Sequence, residues 1–193
     1  KSDGFTPVAC APGDHVNILF SSGTTGEPKA IPWTQTTPIK CAVDGYLHHD
    51  VRPGDVLAWP TSIGWMMGPW LIFASLLNRA TMALYDDAPT GRGFCEFVQN
   101  AGVTMLGVVP SLVKTWRETG CLARADWRGL RAFSSTGECS NPSDYFWLMG
   151  RAGYRPVVEY CGGTEIGGGY ACGSVFQPAA PSTFTTPAFV KKC

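Results

Sequence analysis

Short apolar runs that alternate with stretches of helix length predict an α/β fold, a mostly parallel sheet with helices on both faces. Two further observations point the same way. Proline and capping residues stand where helices would begin, and clusters of Gly, Ser and Thr stand where strands would end. Strands joined by about ten helical residues also require right-handed crossovers, which set neighbouring strands parallel. In chain order, residues 16–20 are a compact apolar strand that stops at a Ser/Gly/Thr cluster. Residues 34–48 have helix length, with Pro38 confined to the first turn. Residues 56–59 read as the next strand. Pro69 suits the first position of a helix running to Leu77, with Asn78 as its stop. Residues 80–85 form a strand, 94–99 a helical turn or two, and 103–109 another strand. Pro110 opens a helix carrying Leu112, Val113 and Trp116, and residues 130–133 follow as a strand. Asn141-Pro142 pairs an N-cap with proline at the first helical position of a helix reaching Met149. Residues 157–160 are the last clear strand, and 177–187, rich in Pro, Ala, Ser and Thr, look linker-like.

The composition narrows the function classes. Of 193 residues 45% are hydrophobic and only 16% charged, against a usual charged share of about 25%. Such a chain needs a buried interior. Lys plus Arg and Asp plus Glu number 15 each, so no basic field exists to collect nucleic acid or an anionic membrane surface. The longest apolar stretch, residues 63–77, contains Gly64, Gly68 and Pro69 and falls short of the ~20 residues of a bilayer span. It is a core segment. The eight cysteines contain no C-x-x-C pair and read as scattered thiols of a reducing compartment, a disulfide framework being the alternative. His48-His49-Asp50 reads as a solvated helix end.

Ligands of parallel sheets bind at the carboxyl ends of strands, which directs attention to residues 21–29, 134–139 and 161–169. The first holds Ser21-Ser22-Gly23-Thr24-Thr25-Gly26-Glu27-Pro28-Lys29. Gly23 and Gly26 can take positive φ, turning successive N–H groups inward as an anion nest; the hydroxyls add donors and Lys29 a point charge. Polyphosphate is the natural guest. The spacing is neither that of a Walker A loop nor G-x-G-x-x-G, and a plain polar turn is the competing reading. No G-x-S-x-G elbow is present.

The whole string resembles the phosphate loop of the adenylate-forming superfamily of acyl-CoA synthetases, peptide-synthetase adenylation domains and luciferases. Residues 63–68 with the apolar helix after them are similar to the acyl-pocket segment of acetyl-CoA-synthetase-like members. Thr136-Gly137-Glu138 resembles the turn that holds adenine, and Glu159-Tyr160-Cys161-Gly162-Gly163-Thr164-Glu165 the motif that closes over AMP and magnesium. The combination looks most like the plant acyl-activating enzymes, peroxisomal members of the family. The resemblance implies that residues 1–193 are a fragment of the large N-terminal domain, with a motif-bearing core at 16–173 and an irregular tail at 174–193. The small C-terminal domain, with the lysine that assists adenylation, would be missing. Cutting the sheet would leave a marginal, aggregation-prone chain.

Residue by residue, the resemblance implies that Ser22, Gly23, Thr24, Thr25, Gly26 and Lys29 cradle the β and γ phosphates of ATP. Gly137, Glu138 and Cys139 would line the adenine, and Glu159, Tyr160, Cys161, Gly162 and Gly163 of the later motif would bind the nucleotide. Tyr160 would stack near the base, Thr164 would reach the α-phosphate, and Glu165 would hold Mg²⁺. Glu138 as a solvated loop acid and Tyr160 as the buried end of a strand are the competing readings. The chemistry implied is attack of a carboxylate on the α-phosphate to give acyl-AMP and pyrophosphate, then displacement of AMP by the thiol of CoA. Gly64, Trp65 and Gly162 would border the acid. Gly162 stands where acetate-specific relatives have a tryptophan, so the acid is expected to be medium-chain, long-chain or aryl-substituted. Trp65, Trp70 and Trp116 are expected in the core, with Trp65 within reach of the acyl chain. The site of action implied is peroxisomal or cytoplasmic. The alternatives are a non-catalytic nucleotide-binding remnant and an unrelated nucleotide-phosphate enzyme.

Overall fold

The computed structural model describes residues 4–21 and 26–189. β1 (His15–Ser21) and β2 (Lys29–Thr34) pair antiparallel as a separate hairpin. There follow α1 (Thr37–His48), β3 (Val56–Ala58), α2 (Met67–Leu77), β4 (Thr81–Ala83), α3 (Arg92–Asn100) and β5 (Met105–Val108). Then come α4 (Pro110–Thr119), β6 (Ala132–Ser135), α5 (Pro142–Arg151), β7 (Val157–Gly163), β8 (Gly168–Cys172) and β9 (Thr186–Pro187). The main sheet runs β4-β3-β5-β6-β7-β8-β9. Its first five strands are parallel, and β8 and β9 are added antiparallel.

β5 and β6 sit at the centre because every residue of each is buried, the mark of a strand covered on both faces. Successive side chains go to opposite faces. On one face Leu106, Val108 and Phe133 meet Phe94 of α3, Leu112, Val113 and Trp116 of α4, and Tyr145 and Leu148 of α5. On the other, Leu57, Met105 and Tyr160 meet Cys41 of α1, Trp70, Leu71 and Ala74 of α2, and Leu19 and Trp33 of the hairpin. Helices thus cover both faces. Pro110 and Pro142 open α4 and α5, and the Asn141 side chain accepts a hydrogen bond from the Ser143 N–H at 2.9 Å.

Several expectations are corrected. Residues 29–34 are a strand, so the first helix starts at Thr37; Pro32 is tolerated because both strands of a two-stranded ribbon are edges. Pro69 is the third residue of α2, which begins at Met67. The tail expected to be irregular contributes β9, and Ala188 directly after it is buried. His48 and His49 are not solvated. Both are buried and hydrogen-bonded, His48 Nδ1 to the Gly173 carbonyl at 2.8 Å and His49 Nε2 to Ser134 Oγ at 2.7 Å. Trp70 and Trp116 lie in the core, whereas Trp65 is 70% exposed. Cys41, Cys95 and Cys172 are buried free thiols, but Cys10 and Cys139 are exposed.

Candidate active site

Two adjoining cavities open at the carboxyl ends of β3, β5, β6 and β7, where a parallel sheet presents its loops. One, of about 430 Å³, is bordered by Trp59, Pro60 and Thr61 after β3, Trp65, Met66 and Met67 at the start of α2, Val109, and the 136–138 and 162–164 segments. The other, of about 350 Å³, lies between the 135–139 turn and residues 159–162, with Phe184 of the tail on its border. They share Thr136, Gly137, Glu138 and Gly162. The first is walled by apolar side chains; the second is bordered by Ser135, Thr136, Glu138 and Glu159. Both have the size of small-molecule sites.

The shared turn has a physical anchor. Gly137 has φ +94°, a conformation open chiefly to glycine. The next residue, Glu138, accepts hydrogen bonds from the Ser111 N–H at 2.9 Å and Ser111 Oγ at 2.8 Å, placing its carboxylate at the N-terminus of α4. Its side chain is therefore exposed yet held. Opposite, Glu159 is buried and accepts a 2.7 Å hydrogen bond from Ser140 Oγ. Burial raises its carboxyl above the usual range, and the Ser140 bond works against that shift.

Tyr160 does not present its ring to a bound base. It is 1% exposed and packs between the strand and α2, where its hydroxyl donates to Asp44 Oδ2 and accepts from Trp70 Nε1 at 3.0 Å. The buried-strand reading holds, and burial raises the phenol far above its ordinary pKa. Strand alternation gives the opposite side to Cys161, which is half-buried with Sγ 2.9 Å from the Tyr170 hydroxyl. Gly162 has a reason of its own: a Cβ there would stand 2.3 Å from the Gly168 carbonyl oxygen. The direction a side chain would take is thus occupied by β8, and the room for a ligand comes from the cavity beside β3 and α2.

Ser22, Gly23, Thr24 and Thr25 lie outside the described residues. Gly26, at φ +90°, and Lys29 are exposed at the end of the hairpin. That hairpin is tied to the site, since Trp33 Nε1 donates to the Thr164 carbonyl at 2.7 Å. Thr164 borders the larger cavity, and Glu165, next to it, is exposed. Lys29, Gly26, Gly64 and Glu165 border neither cavity. Among the described residues no three His, Cys, Asp or Glu side chains gather as a metal cage. A single exposed carboxylate still fits Mg²⁺, which is commonly held by one or two carboxylates together with substrate phosphates. Met66 and Met67 belong to the 63–68 segment that the sequence reading singled out, whereas sequence reasoning missed Trp59, Val109, Ser111, Ser140 and Phe184. Their only signal was position near strand ends, since no spacing rule links them.

The profile of the AMP-binding enzyme family matches residues 1–190. The chain is 61% identical over 172 residues to a hexanoyl-CoA synthase of Cannabis sativa, covering 89% of this chain and 24% of that protein. It is 58% identical over 176 residues to probable acyl-activating enzyme 17, peroxisomal, of Arabidopsis thaliana, covering 91% and 24%. The structure superposes on an acetoacetyl-CoA synthetase from Streptomyces lividans with TM-score 0.80 at 29% identity, over 88% of this chain and 28% of that one. The chain spans about a quarter of the length of these relatives. Strand-end cavities, the anchored 136–138 turn and these likenesses converge: the chain belongs to the AMP-binding enzyme family, and its relatives include an acyl-CoA synthase and a plant acyl-activating enzyme.

Proposed function

We propose that this chain forms the nucleotide- and acid-binding part of an acyl-CoA synthetase that activates a medium-chain, long-chain or aryl-substituted carboxylic acid. One observation carries the reading: the 136–138 turn is shared by an apolar cavity, suited to the acid, and a polar one, suited to the nucleotide, beside Thr164. A carboxylate oxygen attacks the α-phosphorus of ATP, the bond to the β-phosphate oxygen breaks, and pyrophosphate leaves with the electron pair. The CoA thiol, losing its proton, then attacks the acyl carbonyl and AMP departs. No side-chain nucleophile is required, so the protein supplies position and charge.

In this reading Gly137, Glu138, Cys139, Glu159 and Cys161 border the adenosine, Gly163 stands with Thr164 on the border of the larger cavity, and Thr164 donates to the α-phosphate. Lys29, with Ser22 to Gly26, offsets charge on the β and γ phosphates. Glu165 would hold Mg²⁺, which neutralises phosphate charge when bound. The size of the acid is supported by the apolar border of the larger cavity and by the hexanoyl-CoA synthase relative. A peroxisomal site of action is supported by the names of the Arabidopsis relatives; no helix among the described residues is long and apolar enough to cross a membrane.

The test is carboxylate-dependent exchange of pyrophosphate into ATP by the intact protein that carries this chain. Lys29→Ala and Glu165→Ala should each lower the exchange rate by about 10²- to 10³-fold, as loss of a charge-stabilising group does. Nucleotide binding without exchange would indicate a binding remnant. Hydrolysis of ATP that ignores the acid would indicate different phosphate chemistry.

A further inference from the structure

We infer that Trp59 sets the length of acid the site accepts, with Gly107 as the residue that lets it do so; this rests on reading the larger cavity as the acid pocket. The cavity is bordered by polar side chains, Thr136, Glu138 and Thr164, and by apolar ones, Trp59, Trp65 and the two methionines. The two tryptophans differ in kind. Trp65 is 70% exposed and Trp59 only 5%, so in this inference Trp65 belongs to the rim and Trp59 to the closed end.

Register explains where the Trp59 indole goes. Leu57 pairs with Met105 and Ala58 with Leu106, so residue 59, just past β3, stands beside Gly107 of β5 on the same face of the sheet. A Cβ at Gly107 would lie 1.9 Å from Trp59 Cδ2 and 2.2 Å from Cε3. The indole therefore occupies the space that any side chain at 107 would need. It is also held from the helix side, by an edge contact with Trp70 at 5.6 Å between ring centroids, and Trp70 is itself fixed by its hydrogen bond to the Tyr160 hydroxyl. A wall packed on two sides cannot retreat before a longer chain. It is a hard stop, and the far carbon of the acid meets it.

The inference makes opposite demands on two substitutions. Trp59→Ala removes the wall and opens the cavity toward β5 and α2. Gly107→Ala keeps the indole but displaces it from β5 toward the cavity. Exchange of pyrophosphate into ATP by the intact protein is measured across straight-chain acids from butanoic to hexadecanoic. With Trp59→Ala the ratio of kcat/KM for longer over shorter acids should rise about tenfold or more, since each methylene accommodated in an apolar pocket is worth at least that. With Gly107→Ala the ratio should move as far the other way. The double variant should return to the longer-acid profile, because the ring that the added methyl would strike is gone. Trp59→Leu, which keeps apolar bulk, should give an intermediate shift and guards against failure of the alanine variant to fold, checked by its thermal transition. An unchanged chain-length profile in Trp59→Leu or Trp59→Ala, with exchange retained, overturns the inference, as does a Gly107→Ala loss equal for all acids. Absence of exchange with every acid in the unsubstituted protein is a different result, and overturns the adenylation reading together with what rests on it.

Discussion

A methyl group at Gly162 would meet the Gly168 carbonyl oxygen at 2.3 Å and its carbon at 3.0 Å, both backbone atoms that no rotamer change can move. Gly162→Ala should therefore destabilise the β7–β8 pairing by about 1–3 kcal/mol, the usual cost of overpacking, read as a lower urea midpoint. An unaltered midpoint would mean that β8 sits farther away than described. Fold and candidate site meet at this position, because the segment 162–164 at the end of β7 also borders the larger cavity. Tyr160 makes the same point from the other side. The sequence leaves open whether its ring serves a ligand or the core, and Asp44 with Trp70 decides for the core.

At the scale of elements, α1 holds the β7–β8 hairpin through one buried carboxylate. Asp44 is fully buried; it pairs with Lys40, and its Oδ2 accepts from the Tyr160 hydroxyl and from the Gly169 N–H, the latter at 2.8 Å. Asp44→Ala would strand an ammonium, a hydroxyl and an amide in the interior and should cost about 3–5 kcal/mol. Asp44→Asn retains one acceptor and should cost about 1–3 kcal/mol. Denaturant midpoints of the two variants test the ranking, and equal losses would contradict it. Elements with strong one-dimensional signals were legible: β5 as a continuous apolar run, α4 and α5 from Pro110 and the Asn141-Pro142 pair. β2, β8 and β9 were not, for a common reason. Pro32, the glycines at 168 and 169, and Pro187 carry no strand propensity, and these segments extend only because a partner strand is already there.

For the molecule as a whole, two buried imidazoles tie α1 to the end of the sheet. His48 donates from Nδ1 to Gly173 and accepts at Nε2 from the Phe189 N–H at 3.2 Å. His49 donates from Nδ1 to the Asp44 carbonyl at 3.2 Å and accepts at Nε2 from Ser134. Each is bonded as the neutral tautomer; protonation would set a His48 Nε2–H against the Phe189 N–H, and would place a charge on His49 in the buried interior. Burial pushes His49 down from 6.5 to about 3 and lowers His48 as well. The folded values lie below the unfolded ones, so the unfolded chain takes up more protons as pH falls. Stability is complete above about pH 6.5 and is lost as pH drops toward 3, at a rate that makes His49 alone worth about 2 kcal/mol between pH 6.5 and pH 5. Thermal midpoints across that window should fall steadily; a flat profile would refute the burial of these groups.

Local order along the chain determined the α/β class, the strand-end loops as the place to look for chemistry, and a Gly/Ser/Thr loop of a type that suits an anion, because propensity, capping and glycine freedom act over a few residues. Tertiary structure decided what no short window contains. Whether His48 and His49 face water or the core, whether Tyr160 or Cys161 turns toward the ligand, and why Gly107 and Gly162 lack side chains depend on atoms 48 or more positions away, or across a hairpin, that approach only when the sheet closes. Contacts of that range are set by packing, and packing belongs to the assembled molecule rather than to its string of residues.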